Sequence, residues 1–253
     1  MTTTQTRTTD AVHPWPEQLR FPGQTAAHPG PVDMTMMYVM HHGFRRDLTR
    51  FAEAVAATPL AAKDTWVALA ARWERFFDIL HHHHSGEDAG IWPYLIARAG
   101  DEDRATLEAM EEEHSHIDPL LSSCAEGFAT LAGDLVGVNA DDVRAALKVR
   151  VAATRDALAR HLAHEESEAM VILQRHMTRE DWERIEKEHF RKDETLSRLR
   201  YLVCWIAEDL PVPVRDGLLD EAGLPFRLIW WLSRGSFQRL ERRAFQYAGI
   251  GKA

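Results

Sequence analysis

Residues 66–87 read WVALAARWERFFDILHHHHSGE, and the apolar positions Trp66, Leu69, Trp73, Phe76 and Leu80 lead in one rhythm to His83 and Glu87. Spacings of three and four residues mark the inward seam of an α-helix in a bundle. The same rhythm returns three times. It runs through Met34, Met37, His41, Phe44, Leu48, Phe51 and Val55; through Leu107, Met110, His114, Ile117, Leu121, Cys124, Phe128 and Leu131; and through Val151, Thr154, Leu158, His161, Glu165, Glu168 and Ile172. Each stripe is interrupted at one place by a histidine. The pattern predicts an all-α chain built on an up-and-down four-helix bundle, with these polar residues facing its core.

Ionisable groups in an apolar interior cost several kcal/mol each unless they are paired, hydrogen-bonded or bound to a metal. His83 with Glu87 and His161 with Glu165 are i,i+4 pairs, so each places an imidazole and a carboxylate on one helix face, about one turn apart. Counting along helices of alternating direction puts His41 about two turns into the first, His83 near the far end of the second, His114 about a third of the way along the third and His161 late in the fourth. In an up-and-down bundle these depths coincide. His41, His83, Glu87, His114, His161 and Glu165 are therefore the candidate metal ligands, sharing one layer.

Work outward from the stripes gives three segments. Residues 1–32 carry Pro14, Pro16, Pro22, Pro29 and Pro31 and cannot sustain a helix; they read as an arm that Trp15, Leu19 and Phe21 could anchor. Residues 33–176 hold the bundle, with helices near 33–57, 63–98, 102–133 and 140–176. Gly86, Gly90 and Pro93 predict a break or kink just past His83 and Glu87, a place where a small molecule could enter. Residues 177–253 form an extension of further helices: a capping box at Thr178 and Asp181, a charged helix through His189, an apolar stretch at 196–207, and a run from about 226 to 247. That last run joins Trp230, Trp231, Leu232, Phe237 and Leu240 to Arg227, Arg234, Arg239, Arg242 and Arg243, which suits docking on the bundle, a second copy of the chain, or a membrane surface. His189 and Asp193 repeat the i,i+4 spacing, but Arg191 and Lys192 beside them read as a solvated face.

The chain of 253 residues is long enough to bury a substantial core. With Asp+Glu 39 against Lys+Arg 30, its net charge of −9 argues against general nucleic-acid binding. Cys124 and Cys204 form no paired framework and fit a reducing compartment. The polar, Thr-rich N-terminus lacks a secretory apolar region, and no run approaches the roughly 18 apolar residues of a membrane span. A cytoplasmic protein is expected. No Ser/His/Asp or Cys/His nucleophile and no phosphate-cradling Gly-rich loop is present.

The strings HHGFRRDL at 41–48, HHHHSGEDAGIWPYL at 81–95, EEEHSHIDPLL at 111–121 and HLAHEESEA at 161–169 together resemble the hemerythrin-like (HHE cation-binding) family. The resemblance spans about 33–176. It implies a four-helix bundle holding two non-haem irons, oxo- or hydroxo-bridged, through one histidine on the first helix, an HxxxE pair on the second, one or two histidines on the third and a histidine with a carboxylate on the fourth. These positions correspond to His41, His83 with Glu87, His114, and His161 with Glu165. Glu166 is the closest competitor of Glu165, because some members place that carboxylate one residue further on. Where oxygen-carrying members have a second histidine one turn along the third helix, this chain has Asp118, which could bind metal, hold a bound ligand or orient His114. The resemblance then implies a more open and reactive site than a reversible carrier has.

Two functional classes follow: a di-iron protein that reacts with dioxygen, peroxide or nitric oxide, with catalase- or oxidase-like chemistry, and a module that senses or stores oxygen, nitric oxide or iron without turnover. Zinc or manganese is a third alternative, because mixed nitrogen and oxygen donors do not choose the metal. The expected partners are small diatomic or peroxide ligands, with homo-oligomer or partner contact through the C-terminal helices.

Overall fold

The structure is a computed structural model that describes residues 15, 17–137, 139–191 and 195–249. Helix α1 (Thr35–Ala57) opens where Asp33 accepts the Thr35 N–H at 2.9 Å and closes at Thr58, extended ahead of Pro59. Helix α2 (Lys63–Gly86) passes through a π-helical turn at Glu87–Ile91 into α3 (Trp92–Ile96). Helix α4 (Asp101–Ala132) begins on three acids, Asp101, Glu102 and Asp103, which suit a helix N-terminus. It runs on through Pro119, whose missing N–H leaves unbonded only the carbonyl of exposed Ser115. Helix α5 (Ala140–His164), capped by Asn139, passes through a second π-helical turn at Glu165–Ala169 into α6 (Met170–His176).

These are the four expected rods. α1, α2, α4 and α5 pack as an antiparallel bundle, with α1 beside α5, α5 beside α4 and α4 beside α2. Every apolar stripe residue is buried, from Met34 and Phe51 to Trp66, Trp73, Phe128 and Val151.

Beyond the bundle come α7 (Arg179–Ile185) with its capping box and a third π-helical turn at Glu186–Phe190, then α8 (Leu196–Ala207), α9 (Val212–Ala222) and α10 (Leu224–Ala244). Helix α9 falls in the interval between the expected runs at 196–207 and 226–247, where no helix was expected. Pro213 lies in its first turn, where no N–H is needed. Helix α10 docks on α2 and α8 through Ser233, Phe237, Glu241 and Ala244, and leaves Leu228, Trp231 and Leu232 exposed.

A buried ionic knot fastens this layer to the bundle. Asp47 of α1 accepts from Arg72 of α2 at 2.5 Å, from Arg46 at 3.0 Å and from the Trp205 indole of α8 at 2.6 Å, and Arg72 also pairs with Glu241 of α10. Trp205 lies close against Gly43, where an added Cβ would meet its ring at 2.6 Å. Alanine favours a helix over glycine by about 1 kcal/mol, but overpacking a closed core costs about 1–3 kcal/mol. Gly43→Ala is therefore expected to lower the urea midpoint, and an unchanged or raised midpoint would show that Trp205 yields.

Residues 17–34 run over the end of the bundle. Phe21 and Val32 are buried, Gln18 and Gln174 both donate to the Val32 carbonyl, and the Thr25 N–H donates to Glu166 at 2.8 Å. Trp15 is 44% exposed, so Phe21 with half-buried Leu19 forms the anchor and Trp15 does not. No helix among the described residues is long and apolar enough to cross a membrane. Cys124 and Cys204 are free and buried.

Candidate metal centre

A polar stratum divides two apolar clusters in the bundle. His41 sits between Met37 of one cluster and Phe44 of the other, and His114 between Met110 and Ile117. His83 follows Leu80, and His161 follows Leu158, from the same side. The equal depth expected from residue counting is realised in contacts between imidazoles of different helices. His41 meets His83 edge-on with ring centroids 5.5 Å apart, and His114 meets His161 at 4.6 Å.

Glu87 lies between two groups of donors. Its Oε1 is 3.0 Å from His83 Nε2, and its Oε2 is 3.5 Å from His114 Nε2. His114 Nε2 and His161 Nε2 face each other at 3.1 Å, and Glu165 Oε2 lies 3.2 Å from His41 Nε2 and 3.8 Å from His161 Nε2. One group of His84, Glu87, His114 and His161 and another of His41, His83 and Glu87 each bring one donor atom per residue within 4.8 Å of the rest. All these side chains are buried.

The outer nitrogens of three rings are held by carboxylates. His41 Nδ1 is 3.0 Å from Glu166, His114 Nδ1 is 2.7 Å from Asp88, and His161 Nδ1 is 2.8 Å from Glu113. A second oxygen of Glu113 holds His164 at 2.8 Å, and Arg45 clamps Glu166 with two bonds of 2.8 and 2.9 Å. A carboxylate behind an imidazole fixes its orientation and raises its basicity toward a cation. Such support aims the inner Nε2 atoms at one another.

Charge follows burial and neighbours. Burial opposes a proton on His41, but Glu165 and Glu166 outweigh it and raise the ring to about 9. Burial and then the neighbouring imidazoles push His83 and His84 well below the usual histidine range, leaving them neutral. Burial, reinforced by Glu165 and Asp88, drives Glu87 well above the carboxylate range. Glu165 is equally buried, yet His41 holds it down at about 2.

The structure gathers His41, His83, Glu87, His114 and His161 in the two donor groups, sets Glu165 beside His41 and His161, and places Glu166 directly behind His41. Asp118 is not brought to the cluster. It lies half-buried 3.6 Å from exposed His81, and the carboxylate that orients His114 is Asp88. Ile117 takes the inward position on α4, and Asp118 is turned about 100° away from it. Glu168 also leaves the expected stripe: the extra residue of the π-helical turn brings both Glu165 and Glu166 inside and sends Glu168 to the surface beside His164. Arg45 is the counter-charge of Glu166.

The expected break past Glu87 is a π-helical turn, and it is covered. A Cβ at Gly86 would strike Phe190 at 2.7 Å, and one at Gly90 would strike His189 and Ile185 at 2.8 Å, so the C-terminal segment covers this turn. His189 thus packs on the bundle; Asp193 lies outside the described residues. Residue reasoning missed His84, which is buried within the cluster while His81 is exposed. Its signal was the HHHH run itself.

The fit to a cation can be judged from atoms that lack a protein partner. His41 Nε2, His83 Nε2, both ring nitrogens of His84 and both oxygens of Glu87 and of Glu165 are buried without an aligned hydrogen bond. Buried polar groups are normally satisfied, and a converging set of imidazoles and carboxylates is the donor chemistry of a transition metal. Fold and site together define an all-α bundle with a buried His/carboxylate metal-binding centre. Residues 33–173 match the family model of the hemerythrin HHE cation binding domain, and the chain belongs to that family. No curated protein and no solved structure matches the chain.

Proposed function

We propose that this chain holds two non-haem iron ions, with His41, His83, Glu87, His114, His161 and Glu165 as ligands, and that the pair binds or reacts with dioxygen, peroxide or nitric oxide. The observation that carries this reading is the convergence of unpartnered donor atoms on both sides of Glu87. Paired iron would supply redox and Lewis-acid chemistry at this point. The protein positions the imidazoles, keeps His83 neutral and excludes bulk water.

Enclosure limits what can reach the site. None of the cluster imidazoles is more than 3% exposed, the N-terminal arm is tied to Glu166 through the Thr25 N–H, and Phe190 lies against Gly86. Such burial favours diatomic and peroxide ligands over larger substrates. Turnover of peroxide is the first reading; binding without turnover is the second, and the same closure supports it.

Peroxide consumption by the iron-loaded protein is expected to fall by at least an order of magnitude in His83→Ala, which removes a donor to the Glu87 pair. Equal rates in the two proteins would leave binding without turnover as the function. Metal analysis showing about one iron per chain would argue against a pair, and zinc or manganese in its place would change the chemistry assigned to it.

A further inference from the structure

We propose that His84 is a third imidazole donor to one of the two metal positions, so that the positions are unequal: His84, His114 and His161 on one side of Glu87, His41 and His83 on the other. This assignment rests on the two-metal reading above and adds a ligand to it.

His83 and His84 are neighbours in sequence, and successive side chains on a helix point about 100° apart. In most helices one of two such residues faces outward. Here α2 lies against α4 on one flank and near α1 on the other, so both directions lead into the core. His83 turns toward α1 and meets His41, while His84 turns toward α4 and α5. Its ring lies parallel to His114, with centroids 3.9 Å apart and planes 7° apart, and edge-on to His161 at 5.3 Å.

The hydrogen bonding of His84 separates a ligand from a packing residue. His41, His114 and His161 each have a carboxylate behind the ring. His84 is 2% exposed, and both of its nitrogens lack a partner. A ring placed there only to pack would be better as phenylalanine, which keeps the stack and brings no polar atom into the core. A ring that binds a cation uses one nitrogen, and one of its nitrogens lies within 4.8 Å of donor atoms from Glu87, His114 and His161. Without a carboxylate behind it, His84 is the least firmly oriented imidazole on its side, and that position should release its metal first.

The test compares wild type with His84→Phe, loaded anaerobically with Fe(II) and measured by metal analysis and X-ray absorption. Wild type should hold two irons per chain and the variant one, with the mean number of imidazoles per iron changed and helical circular dichroism preserved. His84→Ala should likewise hold one, and free imidazole should restore the second by entering the space left by the ring. Two irons in both variants with an unchanged absorption edge would overturn the role of His84 while leaving the paired centre intact. Fewer than two in wild type would overturn the paired centre itself, and this assignment with it.

Discussion

Asp47→Ala is expected to lower the free energy of unfolding by about 3–5 kcal/mol, the cost of leaving a buried charge without its partner. Asp47 and Arg72 are both fully buried, and Asp47 also accepts from Arg46 and from the Trp205 indole. Truncation would take the acceptor from three donors at once and leave the Trp205 indole with none. Glu241 remains beside Arg72, so Arg72 keeps one partner and the loss stops short of unfolding the chain. Asp47→Asn, which retains an acceptor, should cost less than Asp47→Ala. A urea titration showing under about 1 kcal/mol for the alanine variant would mean that the knot relaxes into water. The pH dependence has a fixed sign: burial opposes ionisation of Asp47, but Arg72 and Arg46 outweigh it and hold its pKa below the ordinary 3.8. Its contribution is complete above 3.8 and is lost as pH falls through the lower folded value. Wild type and Asp47→Asn should therefore converge in stability in strong acid.

This knot was invisible in the sequence, and the reason is general. Arg46, Asp47 and Arg72 fall beside the apolar seams of α1 and α2, where charges ordinarily reach solvent. They are buried because α8 and α10 cover that face, and nothing in a 3.6-residue rhythm says where a later helix will lie. The four rods themselves were legible, because apolar residues from Met34 to Ile172 repeat on one face over many turns. Helix α9 was not legible because Pro211 and Pro213 give its start no helical signal; Pro213 lies in the first turn, where proline is tolerated.

The site was legible to the same degree and for the same reason. His41, His83, His114 and His161 stand in register with apolar neighbours, so their inward direction follows from spacing alone. Two departures share a cause in local geometry. A seam argument admits one of two adjacent residues, yet both His83 and His84 are inside, because α2 has core on two flanks at that level. The same argument carries Glu168 inward, but π-helical turns at Glu87–Ile91 and Glu165–Ala169 add a residue to the phase immediately after each His/Glu pair. Such turns are frequent at functional sites. Asp118, standing where other members carry a histidine, was expected to bind metal, hold a bound ligand or orient His114; the carboxylate behind His114 is instead Asp88, in the π-helical turn after α2.

Replacing Glu87 by Gln is expected to remove both of the proposed metal positions while leaving the protein folded. Glu87 belongs to both donor groups, with one oxygen toward His83 and the other toward His114. An amide offers one oxygen and no charge, so it cannot serve two cations, and the loss should exceed the ~10–100-fold typical of removing a mere supporting partner. Stability moves the other way. Burial and the nearby Glu165 already disfavour the charged form of Glu87 among protein groups alone, so a neutral side chain of the same size should unfold at the wild-type temperature or above it. A ligand present at about 100 times its dissociation constant stabilises the folded state by about 2.7 kcal/mol. Calorimetry of wild type should show that rise on adding Fe(II), and Glu87→Gln should show none. A variant that keeps two irons and the full thermal shift would exclude Glu87 as the shared ligand. A sharp fall in the melting temperature before any metal is added would assign Glu87 to the packing of α2 and α4. Agreement with neither of those results, and loss of metal with the fold unchanged, is what a carboxylate placed between two cations requires.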